Sequence, residues 1–308
     1  MEQKTEEKTI WDKIGTIDYR YIYVFSLIMI LIPIIQPIGI PMKVGSNAQT
    51  WHNTIVNIPA HSYILFNYYV DLSVWADMGP ILVVTLNEVW MIPKERDVKI
   101  FFYSSTADGA VKMRDLLVTL CKPPQWRTDS YGTTWVDVGY IGFPNEAAYA
   151  SFVMDFKSLI LRDIRGTSLL DVPAAKEMAA HAAPTDVLTA ADFDLLIWSS
   201  WGCTDPDMYV RQFWASGSPP YHVPMLMQTI GNCVPNVVPY VGPDKPIRAF
   251  IPGAAGAAEL EMITGLKGDG TKMADATDLG GVATVILIAL GNIAYLGGRF
   301  LGKKKEEK

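Results

Sequence analysis

Residues 98–104 read Val98-Lys-Ile-Phe-Phe-Tyr-Ser104, and they lead through Ser105-Thr-Ala-Asp108 into a stretch with helical spacing. A short run rich in aromatic and β-branched side chains is typical of a buried strand. The apolar residues that follow, Val111, Leu116, Leu117 and Leu120, recur at helical intervals. The sequence therefore predicts a strand, a loop and a helix, which together make one unit of an α/β fold.

The same pattern recurs on both sides of this unit. Between residues 43 and 267, short apolar runs alternate with longer amphipathic stretches, which favours βαβ units and a largely parallel sheet. We therefore expect an α/β domain with a five-stranded Rossmann-like or flavodoxin-like sheet flanked by helices. The predicted strands are 62–70, 98–104, 134–141, 193–200 and 223–230.

Two uncharged apolar stretches bracket this domain, at residues 21–42 and 281–298. About 20 apolar residues suffice to cross the hydrocarbon core, so each stretch is predicted to be a transmembrane helix. Pro33, Pro37 and Pro41 predict a kink or an early exit in the second half of the first stretch. A cleaved signal peptide is the alternative there, but the preceding residues are acidic as well as basic and no clean cleavage site follows.

The positive charges around the two stretches predict their orientation. Four Lys or Arg residues precede the first stretch and five follow the second, whereas few lie close to either on the domain side. Since cytoplasmic flanks carry an excess of Lys and Arg, the tails at 1–20 and 299–308 are predicted to be cytoplasmic. Residues 43–267 are then extracytoplasmic, with a linker at 268–280.

The charge balance excludes one class of partner. The chain of 308 residues is half hydrophobic and carries a net charge of −6, and residues 43–280 hold 17 Lys and Arg against 25 Asp and Glu. Phosphate backbones are bound by clustered cations, so a nucleic-acid partner is not expected. The expected partners are the lipid bilayer and either further copies of the chain or other membrane proteins.

Polar residues follow the predicted strands at the edge where open parallel sheets bind ligands. The alternative is that these side chains only cap the helices that follow. No phosphate-binding glycine loop, no nucleophile elbow and no suitably placed His accompanies them, so the sequence indicates neither a cofactor nor a reaction. The candidate ligand-binding residues are Asp71, Ser73, Ser104, Ser105, Tyr140, Ser199, Ser200, Thr204 and Asp205.

The three cysteines are Cys121, Cys203 and Cys233. A bridge between Cys203 and Cys233 is one interpretation, because both follow predicted strands and the predicted compartment permits disulfides. Three small buried thiols are the other interpretation. The spacings of Cys and His match no zinc pattern, so no metal site is predicted.

Several motifs together resemble a known family. They include Gln36-Pro-Ile-Gly-Ile-Pro41, Val136-Asp-Val-Gly-Tyr140 and Gly253-Ala-Ala-Gly-Ala-Ala-Glu-Leu-Glu261. In this order they are similar to a family of uncharacterised prokaryotic membrane-anchored proteins, over roughly residues 36–265. The resemblance implies a Rossmann-like or flavodoxin-like domain between two terminal transmembrane helices, and it implies no activity and no functional residue.

Two anchors on one domain favour a fixed geometry at the membrane. The leading hypothesis is therefore a non-enzymatic scaffold or sensor within a homomeric or mixed membrane assembly. The alternatives are a receptor that binds a ligand in the strand-end crevice and a hydrolase or transferase that uses the Ser/Asp cluster. A pocket at the strand ends favours these alternatives, whereas a flat apolar face favours the scaffold.

Overall fold

The protein divides into two compact units. In a computed structural model, which describes residues 10–121, 123–181 and 187–301, Met42–Gly270 forms one unit. The terminal segments on either side of it, up to Pro41 and from Thr271, form the other unit. We call these the α/β domain and the terminal unit.

The α/β domain contains one parallel sheet whose strand order is β3-β2-β1-β4-β5-β6. Its strands pair in register, as where Leu65 of the first strand lies between Phe101 and Leu196 of its neighbours. The expected α/β class is confirmed, but the expected count of five strands is wrong. The strands are β1 (Tyr63–Tyr68), β2 (Lys99–Ser104), β3 (Trp135–Tyr140), β4 (Leu195–Ser200), β5 (Met225–Thr229) and β6 (Ile247–Pro252).

The sequence of the sixth strand lacks the continuous apolar run that identifies most of the other strands. Pro246 precedes β6, Pro252 ends it, and Arg248 interrupts its apolar run. Because β6 pairs only with β5, it is an edge strand, where proline and a half-exposed cation are tolerated.

Helices cover both faces of the sheet. Side chains alternate along each strand, so Ile64 and Phe66 of β1 pack on one face while Tyr63 and Leu65 pack on the other. The helices are α1 (Ile10–Gly15), α2 (Tyr19–Ile35), α3 (Ser46–Val56), α4 (Trp75–Trp90), α5 (Ala107–Asp115), α6 (Gln125–Thr128), α7 (Glu146–Met154), α8 (Pro173–His181), α9 (Asp205–Tyr209), α10 (Val234–Val237), α11 (Gly253–Thr264) and α12 (Asp269–Leu301).

Shorter helical turns complete the connections. The π-helical turns Leu116–Leu120 and Val210–Ala215 extend α5 and α9. The first face of the sheet carries α3, α4, α5 and α11, and the second carries α7, α8, α9 and α10. The 3₁₀ turns are Leu72–Val74, Lys94–Arg96, Phe156–Ser158, Leu169–Asp171, Ala190–Asp192, Gly231–Cys233 and Val238–Tyr240.

Strand order reverses direction between β1 and β4, because β2 and β3 lie on one side of β1 while β4, β5 and β6 lie on the other. The crossover helices on the two sides therefore diverge at the carboxyl ends of β1 and β4. A crevice at this topological switch point is the usual ligand site of open parallel sheets.

Within the terminal unit, one described helix is long and apolar enough to cross a membrane, and it covers Asp269–Arg299. The expectation of two such helices is therefore only partly met. α2 has 17 residues and ends at Ile35, since Gln36 is extended before Pro37. The predicted early exit at the prolines is found, and the predicted linker at 268–280 is helical from Asp269 onward.

A buried carboxylate holds the two segments of the terminal unit together. Asp275 of α12 is 1% exposed, and it accepts hydrogen bonds from the backbone N–H groups of Ile38, Gly39 and Ile40 at 2.7, 2.8 and 2.9 Å. Gly39 has a φ of 75°, which side-chain-bearing residues adopt with difficulty. The turn after α2 is therefore shaped around the Asp275 side chain.

Candidate functional site

A cavity of about 320 Å³ lies at the carboxyl ends of the strands beside the topological switch point. Tyr69 follows β1, Ser105 follows β2 and Asp205 follows β4, so three different strands bring side chains to it. We call this cavity the cleft. Its lining residues are Tyr69, Ser105, Phe143, Asn145, Glu146, Tyr149, Asp205, Met208 and Tyr209.

Asn67 of β1 forms the buried base of the cleft. Its side chain is fully buried, its Oδ1 accepts a hydrogen bond from Ser105 Oγ at 3.0 Å, and its Nδ2 donates to the Tyr209 hydroxyl. Strand register places Asn67 between Tyr103 and Trp198, and the Trp198 ring stacks on Tyr209 at 3.8 Å between centroids. These contacts fix the orientation of the Ser105 and Tyr209 hydroxyls.

Two buried tyrosines, Tyr149 and Tyr209, line the inner wall of the cleft, and Tyr103 lies behind Tyr149. The hydroxyls of Tyr103 and Tyr149 lie 3.1 Å apart, and Tyr149 contacts Tyr209 edge to face. Burial raises the pKa of Tyr103, Tyr149 and Tyr209 well above the ordinary value. All three hydroxyls therefore stay protonated at neutral pH and can donate hydrogen bonds.

Asp205 is one of the two carboxyl groups that line the cleft, beside Glu146. Burial raises the pKa of Asp205, and the hydrogen bond from Ser200 Oγ opposes that rise. Ser200 itself is fully buried. Since Ser200 is shielded from solvent and committed to Asp205, and no His lines the cleft among the described residues, the pair does not form a nucleophilic site.

A second cavity of about 390 Å³ adjoins the cleft and shares Glu146, Asp205 and Met208 with it. We call it the groove. Within it, Arg211 pairs with Glu146 at 2.6 Å and with Asp207 at 2.9 Å. The groove therefore holds three carboxyl groups, and the single cation among its described lining residues is already paired. This charge balance disfavours an anionic ligand. Its lining residues are Glu146, Cys203, Thr204, Asp205, Asp207, Met208, Arg211, Asn236 and Tyr240.

The turn after β1 does not fit a dinucleotide. In dinucleotide-binding folds this turn is glycine-rich and its N–H groups meet the pyrophosphate. Here the residues from Tyr69 to Val74 include no glycine, and Asp71 accepts the Ser73 N–H at 2.8 Å. That hydrogen bond lowers the pKa of Asp71, so a negative charge already occupies the place of a phosphate.

A disulfide joins the loops that follow β4 and β5. It links Cys203 to Cys233, whose Cα atoms are 4.7 Å apart and which are separated by 30 residues in sequence. Cys121 is a buried free thiol, and burial raises its pKa to about 12. The loop that carries Cys203 and Asp205 is thus anchored covalently beside the cleft.

The structure brings together some of the predicted residues and separates others. Ser105 and Asp205 line the cleft, Ser200 supports Asp205, and Thr204 lines the groove. Ser199 donates to the Asn67 carbonyl, and Ser104 lies 2.6 Å from the Tyr68 carbonyl, so both stabilise the strand ends.

Three other predicted residues do not line the cleft. Asp71 accepts the Ser73 backbone N–H, so these two form a local cap. Tyr140 is 55% exposed and lies outside both cavities. The contact found at Asp71 is the helix-capping contact that the sequence analysis gave as the alternative to ligand binding.

The sequence prediction missed several cleft residues for identifiable reasons. Asn67 is a polar residue inside an otherwise apolar strand, which is a readable signal of a buried polar contact. Asn145 and Glu146 start α7 after β3, where the strand-end rule could have been extended beyond Tyr140. Tyr149 and Tyr209 look like ordinary core residues, so no sequence signal separates them from the rest of the core.

Comparison of the chain with protein-family models, with curated proteins and with solved structures finds no match. The resemblance to a family of membrane-anchored proteins therefore stays a prediction. Within the described residues, no three His, Cys, Asp or Glu side chains are grouped to hold a metal ion.

Proposed function

We propose that this protein is a membrane-tethered sensor that binds a small polar ligand in the cleft. The observation that carries the proposal is the position of the cleft at the topological switch point, with side chains converging from three strands. Asn67 holds the Ser105 and Tyr209 hydroxyls and Ser200 holds the Asp205 carboxyl group, so these polar contacts are preorganised.

The chemistry of the lining restricts the ligand. Four aromatic rings face two carboxyl groups, and no Lys or Arg lines the cleft in the described residues. Aromatic faces and carboxylates attract cations, whereas phosphate and carboxylate ligands need basic partners. The ligand class that fits is therefore a small neutral or cationic molecule, such as a polyol or an amine.

The tether rests on the terminal unit. α12 has the length and composition of a membrane-spanning helix. α2 has 17 residues, which is the lower limit of a span of about 17 to 25 residues, and it includes Arg20 near its start. Two passes with both tails in the cytoplasm remain a prediction from the cations that flank the helices, and so does assembly with other membrane proteins.

Native mass spectrometry of the full-length protein in detergent tests the proposal. We expect the wild-type protein to retain a small molecule from the cells that express it, or to bind one from a panel of polyols and amines. Met208→Trp places a bulky ring in the cleft and should abolish this binding by steric exclusion.

Met154→Trp is the matched control, because Met154 is 59% exposed on α7 and does not line the cleft. This variant should bind as the wild type does. Equal binding by the Met208→Trp variant, or absence of any ligand for the wild type across the panel, would leave the scaffold role as the better account.

A further inference from the structure

A cavity of about 730 Å³ in the α/β domain lies away from the cleft. Ile92, Pro93 and Arg96 belong to the segment that enters β2, so this cavity is at the amino ends of the strands. We call it the apolar cavity. Its lining residues are His52, Val56, Asn87, Glu88, Trp90, Met91, Ile92, Pro93, Arg96, Pro124, Ile263, Thr264 and Leu266.

The walls and the rim of the apolar cavity are hydrophobic. Trp90 and Ile92 are buried, each with 3% exposure, and form the inner wall. At the rim, Val56, Met91 and Leu266 are 43%, 78% and 45% exposed. A concave site with exposed apolar side chains around its mouth gains free energy when an apolar molecule covers them.

One buried carboxyl group, that of Glu88, belongs to the lining of the apolar cavity. The Glu88 side chain is 3% exposed, and its Oε1 lies 2.7 Å from His52 Nδ1. Its Oε2 is buried and has no hydrogen-bond partner among the described residues. Burial raises the pKa of Glu88, and the nearby Trp51 indole opposes that rise. Trp51 Nε1 nevertheless does not reach hydrogen-bond geometry with the carboxyl group.

An unsatisfied buried carboxyl oxygen costs more free energy than a satisfied one gains. A water molecule or a ligand donor can supply the missing hydrogen bond. Two other polar groups of the lining are committed elsewhere. Arg96 Nη1 donates to the carbonyls of Val56 and Ile58 at 2.5 and 2.7 Å. Thr264 Oγ1 donates to the Leu260 carbonyl at 2.9 Å. The remaining space is apolar, so a ligand that fills it needs a donor at one end only.

We infer that the apolar cavity binds an aliphatic molecule with a single hydrogen-bond-donating head, an alcohol or a primary amine, whose head donates to Glu88 Oε2. The aliphatic chain then lies against Trp90 and Ile92 and reaches the rim at Met91 and Leu266. An aliphatic carboxylate is disfavoured, because its head offers acceptors to a group that itself accepts.

Isothermal titration calorimetry on the full-length protein in lipid nanodiscs tests this inference, with protein-free nanodiscs subtracted. The probes are 1-hexanol, hexylamine and hexanoate, which share a chain and differ in the head. We expect 1-hexanol, hexylamine or both to bind at least about tenfold more tightly than hexanoate. Binding of the amine alone identifies a charged head, and binding of the alcohol alone identifies a neutral one.

Two variants locate the binding. Val56→Trp fills the mouth of the apolar cavity and should abolish binding of the favoured probe, whereas Val111→Trp, at a residue that is 71% exposed on α5, should not. Glu88→Gln replaces one accepting carboxylate oxygen with a donating NH₂ group. It should reduce the ratio between the affinity for the favoured probe and the affinity for hexanoate by about tenfold. Equal affinity for all three probes, or unchanged binding by both Val56→Trp and Glu88→Gln, would overturn the inference.

Discussion

The cleft and the apolar cavity lie at opposite ends of the same sheet, and they differ in how their buried carboxyl groups are satisfied. Asp205 in the cleft receives a hydrogen bond from Ser200, which is itself held by the Gly202 N–H, whereas Glu88 in the apolar cavity leaves one oxygen without a hydrogen bond among the described residues. Burial raises the pKa of both groups. The polar contacts of the cleft are therefore made within the protein, whereas the ligand that we infer for the apolar cavity would supply a hydrogen bond that the described residues do not.

The two ends also differ in covalent support. The Cys203–Cys233 disulfide anchors the loop beside the cleft, whereas no disulfide joins the described residues that line the apolar cavity. A change at one end should therefore leave the other end intact, provided that the sheet between them stays folded.

Removal of the disulfide should have the largest effect. A cross-link that closes a loop of 30 residues stabilises the folded state by about 3.5 kcal/mol, mainly by restricting the unfolded chain. We expect Cys203→Ala with Cys233→Ala to lower the free energy of unfolding by about that amount in urea titrations. Ligand binding in the cleft should weaken and binding of the favoured six-carbon probe should not, and equal loss at both ends would contradict the comparison.

The next largest effect concerns a third buried carboxyl group, Asp137, whose pKa is raised by burial from 3.8 to about 6. Because the pKa of Asp137 is higher in the folded than in the unfolded protein, the folded state is most stable below the pKa of the unfolded state. That stability is lost as the pH rises through the pKa of the folded state. At pH 7 the loss is about 3 kcal/mol, from about two pKa units.

Asp137→Asn should therefore be more stable than the wild type at pH 7, by up to about 3 kcal/mol, and no more stable near pH 4. The amide oxygen can still accept the Gly139 N–H, which now lies 2.8 Å from Asp137 Oδ1. Urea unfolding at the two pH values measures this, with the exposed Asp244→Asn as control. A gain that does not depend on pH would show that burial of the charge is not its cause.

A smaller effect is expected at the base of the cleft. Tyr209→Phe removes the hydroxyl that accepts from Asn67 Nδ2 and leaves a buried amide donor without that partner. We expect a loss of about 2 kcal/mol in unfolding free energy and weaker ligand binding in the cleft. Tyr140→Phe, at an exposed position, should change neither the unfolding free energy nor ligand binding. If Tyr209→Phe also changes neither, the Asn67–Tyr209 hydrogen bond does not help to organise the cleft.

The smallest effect on binding is expected at Asp71. Because Asp71 caps the turn at Ser73 and lies outside the cleft, Asp71→Ala should change the dissociation constant of a cleft ligand by less than about twofold. Asp205→Asn is the comparison variant, since it alters a lining residue and should change that constant by more. Similar effects of both substitutions would mean that the ligand site extends along the turn after β1.

Much of the fold could be predicted because most strands have a recognisable local sequence pattern. β1, β2 and β4 are buried along their whole length, so their apolar runs stand out from the flanking sequence. β6 could not be found in this way, because an edge strand next to two prolines lacks that signal. The strand order could not be predicted either, since the pairing of β1 with β4 joins residues more than 120 positions apart.

The candidate site was predictable only where the strand-end rule applies. That rule selected Ser105 and Asp205, which line the cleft, together with Asp71, which caps a turn, because it cannot tell a cap from a ligand contact. Asn67 and Glu88 carried another signal, a polar residue inside an apolar strand or helix, whose partners come from distant parts of the chain. Tyr149 and Tyr209 become recognisable only when tertiary packing brings them together.

The hydrogen bonds of Asp275 bear on how this architecture could have arisen. They hold residues 38–40 against α12, so the chain leaves the terminal unit and returns to it at almost the same place. A helical hairpin closed by this contact can accept a folded insertion of any size without a change in its own ends. Replacement of residues 42–270 by a short glycine-rich turn would therefore leave a two-helix hairpin whose two arms Asp275 still joins.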